Sequence, residues 1–531
     1  MKISKLEIKN FRSIKHLVIE PKSLCAIIGP NSVGKTNILK ALDLVLGEGW
    51  ATKAKVAREL FYDIKEPLFI EIYFNPLVEY SYIDKNGTER KNIVNSIKLE
   101  MRLEPELFVK TTINNGSDFY YQENFKKECH FIYIPANRDL SDELRVSQWT
   151  LLGKLMKAVY ENYLKKYDND EDKLKRDFAE KIKPAKEFLE EDFDSNSKTL
   201  TFKKFKETFK KYCEINSSGL ANDFIPELNI YNLNWFYKTL QIHIKENFCE
   251  KYFDAEEIGA GMQNLLLISL FQTYAELMGG KVIFGIEEPE SFLYPNAQRG
   301  LYKSMRELSK ETQIFYTTHS PNFIDAYYAY EIEILQKTKE QGTIVLSKDK
   351  NFLTEETAEK EKFRIYTQFN AERNELFFAR KVILVEGPSD KIFWTTICKK
   401  RWNFDLDKEG VSIIECGGKG GVNYFIGVCK LVGIQDYFAI WDQDIKEEYK
   451  PRKDWLKETK DKEKGIEIPG NLEKFLKLPE GDEASKVKNA YEWAINQNKK
   501  IPDLFLGVKN FLEEKDKNKQ NDLINEEDIP F

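Results

Sequence analysis

The chain has 531 residues, 42% of them hydrophobic and 32% charged, with a formal net charge of −6. That much apolar material excludes a disordered chain and suits about two to four domains. The acidic balance excludes nucleic-acid binding through bulk charge, so any such contact must come from local lysine clusters. The 7 cysteines (Cys25, Cys129, Cys213, Cys249, Cys398, Cys416 and Cys429) contain no C-x-x-C pair, and the 4 histidines (His16, His130, His243 and His319) lack zinc-ligand spacing. The opening MKISKLEIKNF has no apolar signal core, and no apolar run is long enough for a membrane span. A cytoplasmic protein with reduced thiols is expected.

Residues 1–47 read as strands, a turn and a helix. Ile3, Leu6, Ile8 and Phe11 open the pattern, Leu24–Ile28 is a short apolar strand, and Ile38, Leu39, Leu42 and Leu46 recur at helical spacing. Residues 66–135 read as several strands with polar turns. From 141 to 250 the pattern is helical and heavily charged, which suits an inserted helical arm used in dimerisation or an ordinary helical subdomain equally. Residues 251–340 return to alternating helix and strand, 341–377 are a polar connector, and a new α/β pattern runs from 378 to 531.

Residues 29–36 read Gly-Pro-Asn-Ser-Val-Gly-Lys-Thr, the G-x-x-x-x-G-K-T phosphate loop, in the strand–loop–helix context it requires. Backbone N–H groups point inward, and Gly29 and Gly34 let the chain approach phosphate closely. Lys35 is expected to reach the β- and γ-phosphates and Thr36 to ligate Mg²⁺, with Asn31 and Asn37 beside them. A second apolar strand, residues 281–286, ends in Glu287-Glu288-Pro289-Glu290. Two carboxylates at a strand's carboxyl end suit Mg²⁺ held through water by Glu287 and an attacking water polarised by Glu288. A third strand, residues 313–316, precedes Thr317-Thr318-His319-Ser320-Pro321 and sets His319 to sense a γ-phosphate. Upstream, Gly259-Ala260-Gly261-Met262-Gln263 precedes an apolar helix, whose N-terminus suits a phosphate.

The order N-F-R-S-I, G-P-N-S-V-G-K-T-N, G-A-G-M-Q-N-L-L, V-I-F-G-I-E-E-P-E and T-T-H-S-P resembles the ABC-type ATPases of the RecF, SMC and OLD (overcoming lysogenization defect) group, in which two heads sandwich ATP. The resemblance implies that Gly261 lies in a signature contacting nucleotide from the opposite subunit, that His319 is the switch histidine and that Arg12 lies near the nucleotide. Leu293-Tyr294-Pro295 stands where OLD proteins often show L-H-P, so no histidine role is carried over there.

In the C-terminal third, Lys381-Val-Ile-Leu-Val385 is a buried strand delivering Glu386 at its end, followed by Gly387 and Asp390. Residues 437–441 form another strand ending in Asp442-Gln443-Asp444, and between them lies Glu415-Cys416-Gly417-Gly418-Lys419-Gly420-Gly421, a strand-ending glycine loop. Oxygen-only ligands at strand ends suit a hard cation such as Mg²⁺ or Mn²⁺. The order E-G-x-x-D then D-x-D resembles a Toprim domain, and an ABC-type head before one resembles the OLD nucleases, including the Gabija nuclease subunit. That resemblance implies one ion between Glu386, Asp390 and Asp442, and another at Asp444 and Glu473 of Gly470-Asn471-Leu472-Glu473. It also implies a catalytic lysine at Lys486 or Lys488. The run 446–464, with Lys450, Arg452, Lys453, Lys457 and Lys460, is either a path for DNA phosphates or a solvated loop.

The expected fold is α/β: an ABC-type P-loop ATPase head with an inserted helical dimerisation segment, then a C-terminal Rossmann-like Toprim domain. The expected function is ATP-regulated, metal-dependent DNA endonuclease activity in anti-phage defence, with a homodimer or higher homo-oligomer, a possible co-encoded partner protein and no membrane. The alternative is an ATP-gated DNA-binding scaffold of the RecF or SMC type that does not cut.

Overall fold

The computed structural model describes residues 1–136 (without 48, 84–85 and 120–121), 150–190, 207, 240, 242–245, 251–254, 257–277, 281–346, 371–443, 455–479 and 481–514. The chain forms two compact units, residues 1–136 with 278–531, and residues 137–277.

The larger unit opens with β1 (Ile3–Phe11), β2 (Ile14–Ile19) and β3 (Leu24–Ile28). Then come β4 (Leu68–Ile83), β5 (Glu89–Arg102), β6 (Phe108–Ile113), β7 (Ser117–Asp118) and β8 (His130–Ile134). The smaller unit contributes a hairpin, β9 (His243–Lys245) and β10 (Tyr252–Asp254). The larger unit resumes with β11 (Val282–Glu287), β12 (Gln313–Thr317), β13 (Ile332–Thr338) and β14 (Gly342–Val345).

Among the described residues twelve strands make one sheet, ordered β7-β6-β5-β4-β1-β2-β14-β13-β3-β12-β11-β8. From β7 to β13 neighbours are antiparallel; β13, β3, β12, β11 and β8 run parallel. The burial of each half follows its sequence. Ile3, Leu6 and Ile8 of β1 face the core between more exposed neighbours, while Leu24–Ile28 and Val282–Glu287 are buried throughout, as parallel strands covered on both faces must be. Because β3, β12 and β11 are parallel neighbours, their carboxyl ends open at one edge, where residues 29–36, 317–320 and 287–290 meet.

β14 falls within 341–377, where the sequence reads as connector. It is a strand of the large sheet, pairing with β13 along its length and with β2 at Gly342–Ile14. Its few residues are too short to stand out from a polar background.

The C-terminal part of the same unit has four strands, β15 (Lys381–Val385), β16 (Val411–Glu415), β17 (Tyr437–Asp442) and β18 (Gly465–Ile468), in the parallel order β16-β15-β17-β18. The helix Pro388–Thr396 follows β15 and the helix Lys419–Val432 follows β16. Phe393, Trp394, Trp493 and Phe505 form an aromatic core, with Trp394 and Phe505 ring centres 4.7 Å apart. Gly421 is forced: a Cβ there would sit 1.8 Å from the Cys416 carbonyl oxygen.

The smaller unit contains the helices Leu151–Lys166, Glu171–Glu190 and Ala260–Leu277. Thr150 caps the first by accepting from Gly153 N at 3.2 Å. On the second, Lys175–Glu171 and Lys181–Asp177 pair one turn apart, at 2.9 Å each. Most of 191–250, the remainder of the expected insertion, lies outside the described residues. No helix among the described residues is long and apolar enough to cross a membrane.

Candidate functional site

The phosphate loop joins β3 to the helix Lys35–Leu46. Gly34 takes φ +106, and a Cβ on it would lie 2.6 Å from both Ser13 Oγ and Thr343 Oγ1, so only glycine fits. Around it runs a hydrogen-bonded chain. Asn37 Nδ2 donates to Ser13 Oγ at 2.8 Å, Ser13 donates to Thr343 Oγ1 at 2.7 Å, and Thr343 donates to the Val33 carbonyl at 2.6 Å. Lys35 is buried, and its Nζ donates to the Gly29 and Pro30 carbonyls, both at 2.9 Å. Burial lowers its pKa, against the charges of Glu288, Glu287 and Glu290.

A cleft of about 330 Å³ opens over this loop; its lining includes Asn31, Lys35, Thr36, Asn37, Glu288 and His319. Glu287 lines it too but is 6% exposed, and its Oε2 accepts from Ala136 N at 3.1 Å. Glu288 takes a left-handed φ of 43 and donates its backbone N–H to the Thr317 carbonyl at 3.0 Å. His319 Nε2 stands 4.0 Å from Glu288 Oε1. Burial and then Lys35 lower the imidazole pKa, against Glu288, which favours a neutral ring. Arg12 and Gly29 are not among the lining residues. The Arg12 guanidinium instead stands near Tyr133 and 5.7 Å from the Phe11 ring centre. Gly261 lies in the smaller unit, in the first turn of the helix Ala260–Leu277.

The second set of residues gathers at the carboxyl ends of β15, β16 and β17. Glu386 Oε1 accepts from the backbone N–H of Asp442 at 2.8 Å, so segments far apart in sequence meet there. Asp390 Oδ2 accepts from Gly387 N at 3.0 Å at the start of its helix. Burial pushes the Asp390 carboxyl up to about 7; the Gly387 N–H works against the shift, and the charges of Glu386 and Glu473 add to it. Glu473 lies in the short helix Leu472–Leu476, capped by Asn471.

Among the described residues no three acidic, histidine or cysteine side chains converge tightly enough to enclose an ion. Asp444, expected beside them, lies outside the described residues. The donor set nevertheless fits a hard divalent cation. It consists of carboxylates, and the like charges of Glu386 and Glu473 act on a buried Asp390, crowding that a cation relieves. Lys486 and Lys488 lie on the helix Glu483–Ile495, which packs on the helix carrying Asp390. Two residues apart, they point to nearly opposite sides of it, and Lys488 stands 3.8 Å from Glu492. Of the basic run, 446–454 lies outside the described residues, and Lys460 pairs with Glu467 at 2.7 Å. A cavity of about 1180 Å³ lies elsewhere, lined by Gly29, Leu335, Lys381, Tyr437 and Phe511 among others, and among the described residues none of the proposed metal-binding carboxylates lines it.

Residues 1–126 and 54–324 match the AAA ATPase domain family model, and residues 377–444 match the overcoming lysogenization defect protein-like Toprim domain. The chain belongs to the AAA ATPase domain family, and its C-terminal part carries an OLD-like Toprim domain. It is 26% identical to the OLD nuclease of Thermus scotoductus over 83% of this chain and 82% of that protein. It is 21% identical to the Old nuclease of Escherichia phage P2, over 82% and 76% respectively. With the endonuclease GajA of Bacillus cereus it shares 24% over 84% of this chain and 75% of that one. The OLD-family architecture of an ATPase domain and a C-terminal Toprim domain supports an ATPase-linked nuclease that uses nucleotide and divalent metal.

Two residues of this chain carry roles that its motifs did not indicate. Glu290 accepts at one oxygen, Oε1, from Thr318 Oγ1 at 2.7 Å, His319 N at 2.8 Å and Ser320 N at 3.2 Å, and so fixes the loop bearing His319. The only signal was its place after the acidic pair. Lys419, inside the glycine loop, donates to the Asp442 carbonyl at 2.9 Å and stands 3.6 Å from Glu467. A lysine opening a helix directly after a strand-ending glycine pair was its signal.

Proposed function

We propose that this chain is an ATP-regulated DNA endonuclease whose cleavage centre is the carboxylate group around Glu386 and Asp442. The carrying observation is the hydrogen bond from Asp442 N to Glu386 Oε1, with Glu473 close enough for its charge to act on the buried Asp390 carboxyl. Glu386, Asp390 and Asp442 would hold one divalent ion, with Asp444 and Glu473 at a second. Bound there, Mg²⁺ or Mn²⁺ supplies an activated water and neutralises charge on the leaving oxygen. The residues themselves do the positioning. Asp390 stays anchored to Gly387 N, Glu386 fixes the end of β17, and Lys419 holds the Asp442 carbonyl. Lys486 is the better lysine to face scissile phosphate, because Lys488 is turned toward Glu492.

At the other site Asn31, Lys35, Thr36 and Asn37 would bind the triphosphate and Mg²⁺, with Glu287 on the ion's water, Glu288 on the attacking water and His319 sensing the γ-phosphate. Arg12 lies close by, and Gly261 would reach the nucleotide from a second copy, which makes a homodimer or larger assembly the working form. ATP supplies the binding energy for that association. The names of the relatives in Thermus, phage P2 and Bacillus support the nuclease reading; a role in anti-phage defence, in the cytoplasm and with a co-encoded partner protein, belongs to the same proposal.

Supercoiled plasmid incubated with Mg²⁺ or Mn²⁺ tests it. The wild type should nick or linearise the DNA, EDTA should stop it, and Glu386→Ala should lose at least a hundredfold in rate while still binding ATP. Cleavage at wild-type rate by that variant refutes the assignment, and DNA binding without cleavage by the wild type leaves the scaffold alternative.

A further inference from the structure

A series of hydrogen bonds leads from the nucleotide cleft to the carboxylate group, by way of Gln298, Asn374 and Arg373, which no motif covers. It begins at Glu290, which pins Thr318, His319 and Ser320. Ser320 Oγ donates to Gln298 Oε1 at 2.7 Å, and the same oxygen accepts from Asn322 Nδ2 at 3.1 Å. The turn Pro321–Phe323 then presents backbone carbonyls toward the C-terminal domain. Asn374 Nδ2 donates to two of that segment's carbonyls, Pro321 at 2.9 Å and Ile324 at 2.8 Å.

Asn374 is buried and closes the helical turn Ala371–Asn374. Its neighbour Arg373 reaches the other way. Arg373 Nε donates to the Glu415 carbonyl at 2.8 Å, and its Nη2 lies 3.7 Å from the Glu415 carboxylate and 3.6 Å from where a Cβ would stand on Gly417. Glu415 ends β16 and the glycine turn follows. Gly418 N donates to the backbone carbonyl of Glu386 at 2.8 Å.

We propose that Asn374 and Arg373 are positioning residues for the cleavage centre, carrying the placement of the His319 loop to the glycine turn that holds Glu386. The inference rests on the endonuclease reading for its consequence, though not for its geometry. Three features favour it. Both N–H groups of one amide are spent on a single loop, so that loop cannot shift without Asn374 shifting or letting go. The hydrogen bonds given by Asn374, Arg373 Nε and Gly418 all end on backbone carbonyls, which transmit displacement better than a mobile side chain. And Asn374 Oδ1 is buried with no hydrogen-bond partner among the described residues, so the residue is half-satisfied where an apolar side chain would pack without that loss. The two-state element that such coupling requires is the loop 318–324, biased on one side by a γ-phosphate near His319.

Backbone hydrogen exchange, with and without a non-hydrolysable ATP analogue, tests this on the full chain. In the wild type the analogue should change protection of amides 415–421 by at least threefold. Asn374→Ala and Arg373→Ala should bind the analogue normally and lose that change, while Arg373→Lys should keep part of it. Thermal melts separate misfolding from uncoupling, and Arg373→Ala, whose side chain lies nearer the surface, serves if Asn374→Ala does not fold. No change at 415–421 in the wild type, or the same change in a folded Arg373→Ala, overturns the proposal. Plasmid cleavage run alongside should show the ratio of rates with and without ATP falling to about one in the variants. A wild type that shows the exchange change but never cuts refutes the endonuclease reading and leaves the coupling intact.

Discussion

Lys419 bridges the ends of two strands: it belongs to the turn after β16, and its ammonium holds the last carbonyl of β17. Removing it frees Asp442 to move relative to Glu386, and misplacement by about 1 Å costs on the order of a hundredfold in rate. Lys419→Ala should therefore slow plasmid cleavage by roughly ten- to a hundredfold and leave ATP hydrolysis at wild-type level, with Lys419→Arg in between; single-turnover cleavage and phosphate release measured on the same samples check both. At this scale the sequence was readable where a side chain follows a strand directly. Glu386 and Asp442 are carried to the same edge because β15 and β17 are parallel neighbours. Lys419 was not readable, being one of 81 lysines and arginines, and only the adjacency of β16, β15 and β17 gives it a partner.

On the β1–β2 ladder, inside the large sheet, three basic side chains gather on a single carboxylate. Glu7 faces Lys9 at 2.7 Å, Lys5 at 3.1 Å and His16 at 3.2 Å. Lys9, above all, holds its pKa down at about 2 from an ordinary 4.5, with Lys5 and His16 adding to the effect against burial. A depressed carboxylate contributes stability above its unfolded pKa and loses it as pH falls toward the folded value. The wild type should thus lose stability between pH 4.5 and about 2, and Glu7→Gln should lose about 1–2 kcal/mol less across that window. Urea midpoints measured against pH give the comparison. The strands themselves were legible: alternation marked β1, and unbroken apolar runs marked β3, β11 and β12 as strands, while their parallel pairing came only with the structure. β14 was not, because so short a strand is fixed by its partners, the adjoining β13 and the distant Ile14 of β2, rather than by its own pattern.

For the molecule as a whole, the state of Lys35 matters most. With its ammonium turned onto the Gly29 and Pro30 carbonyls, the loop satisfies its own cation, and a triphosphate must replace those contacts with better ones. Binding to the folded chain alone should stabilise it by about 2.7 kcal/mol at a hundred times Kd, raising Tm by several degrees. Lys35→Ala should abolish the shift seen with Mg-ATP in a thermal scan while melting within a few degrees of the wild type without nucleotide. The order of motifs made the two chemistries legible, whereas their connection through Asn374 and Arg373 was not, since it depends on how one sheet is set against another. β14 adds a practical consequence. Thr343 closes the chain of hydroxyls and amide that braces Val33 beneath the phosphate loop, and the segment supplying it comes after every recognisable ATPase motif. A polypeptide trimmed at residue 340 to isolate the ATPase would keep each motif intact and still lack the hydroxyl that braces its own phosphate loop.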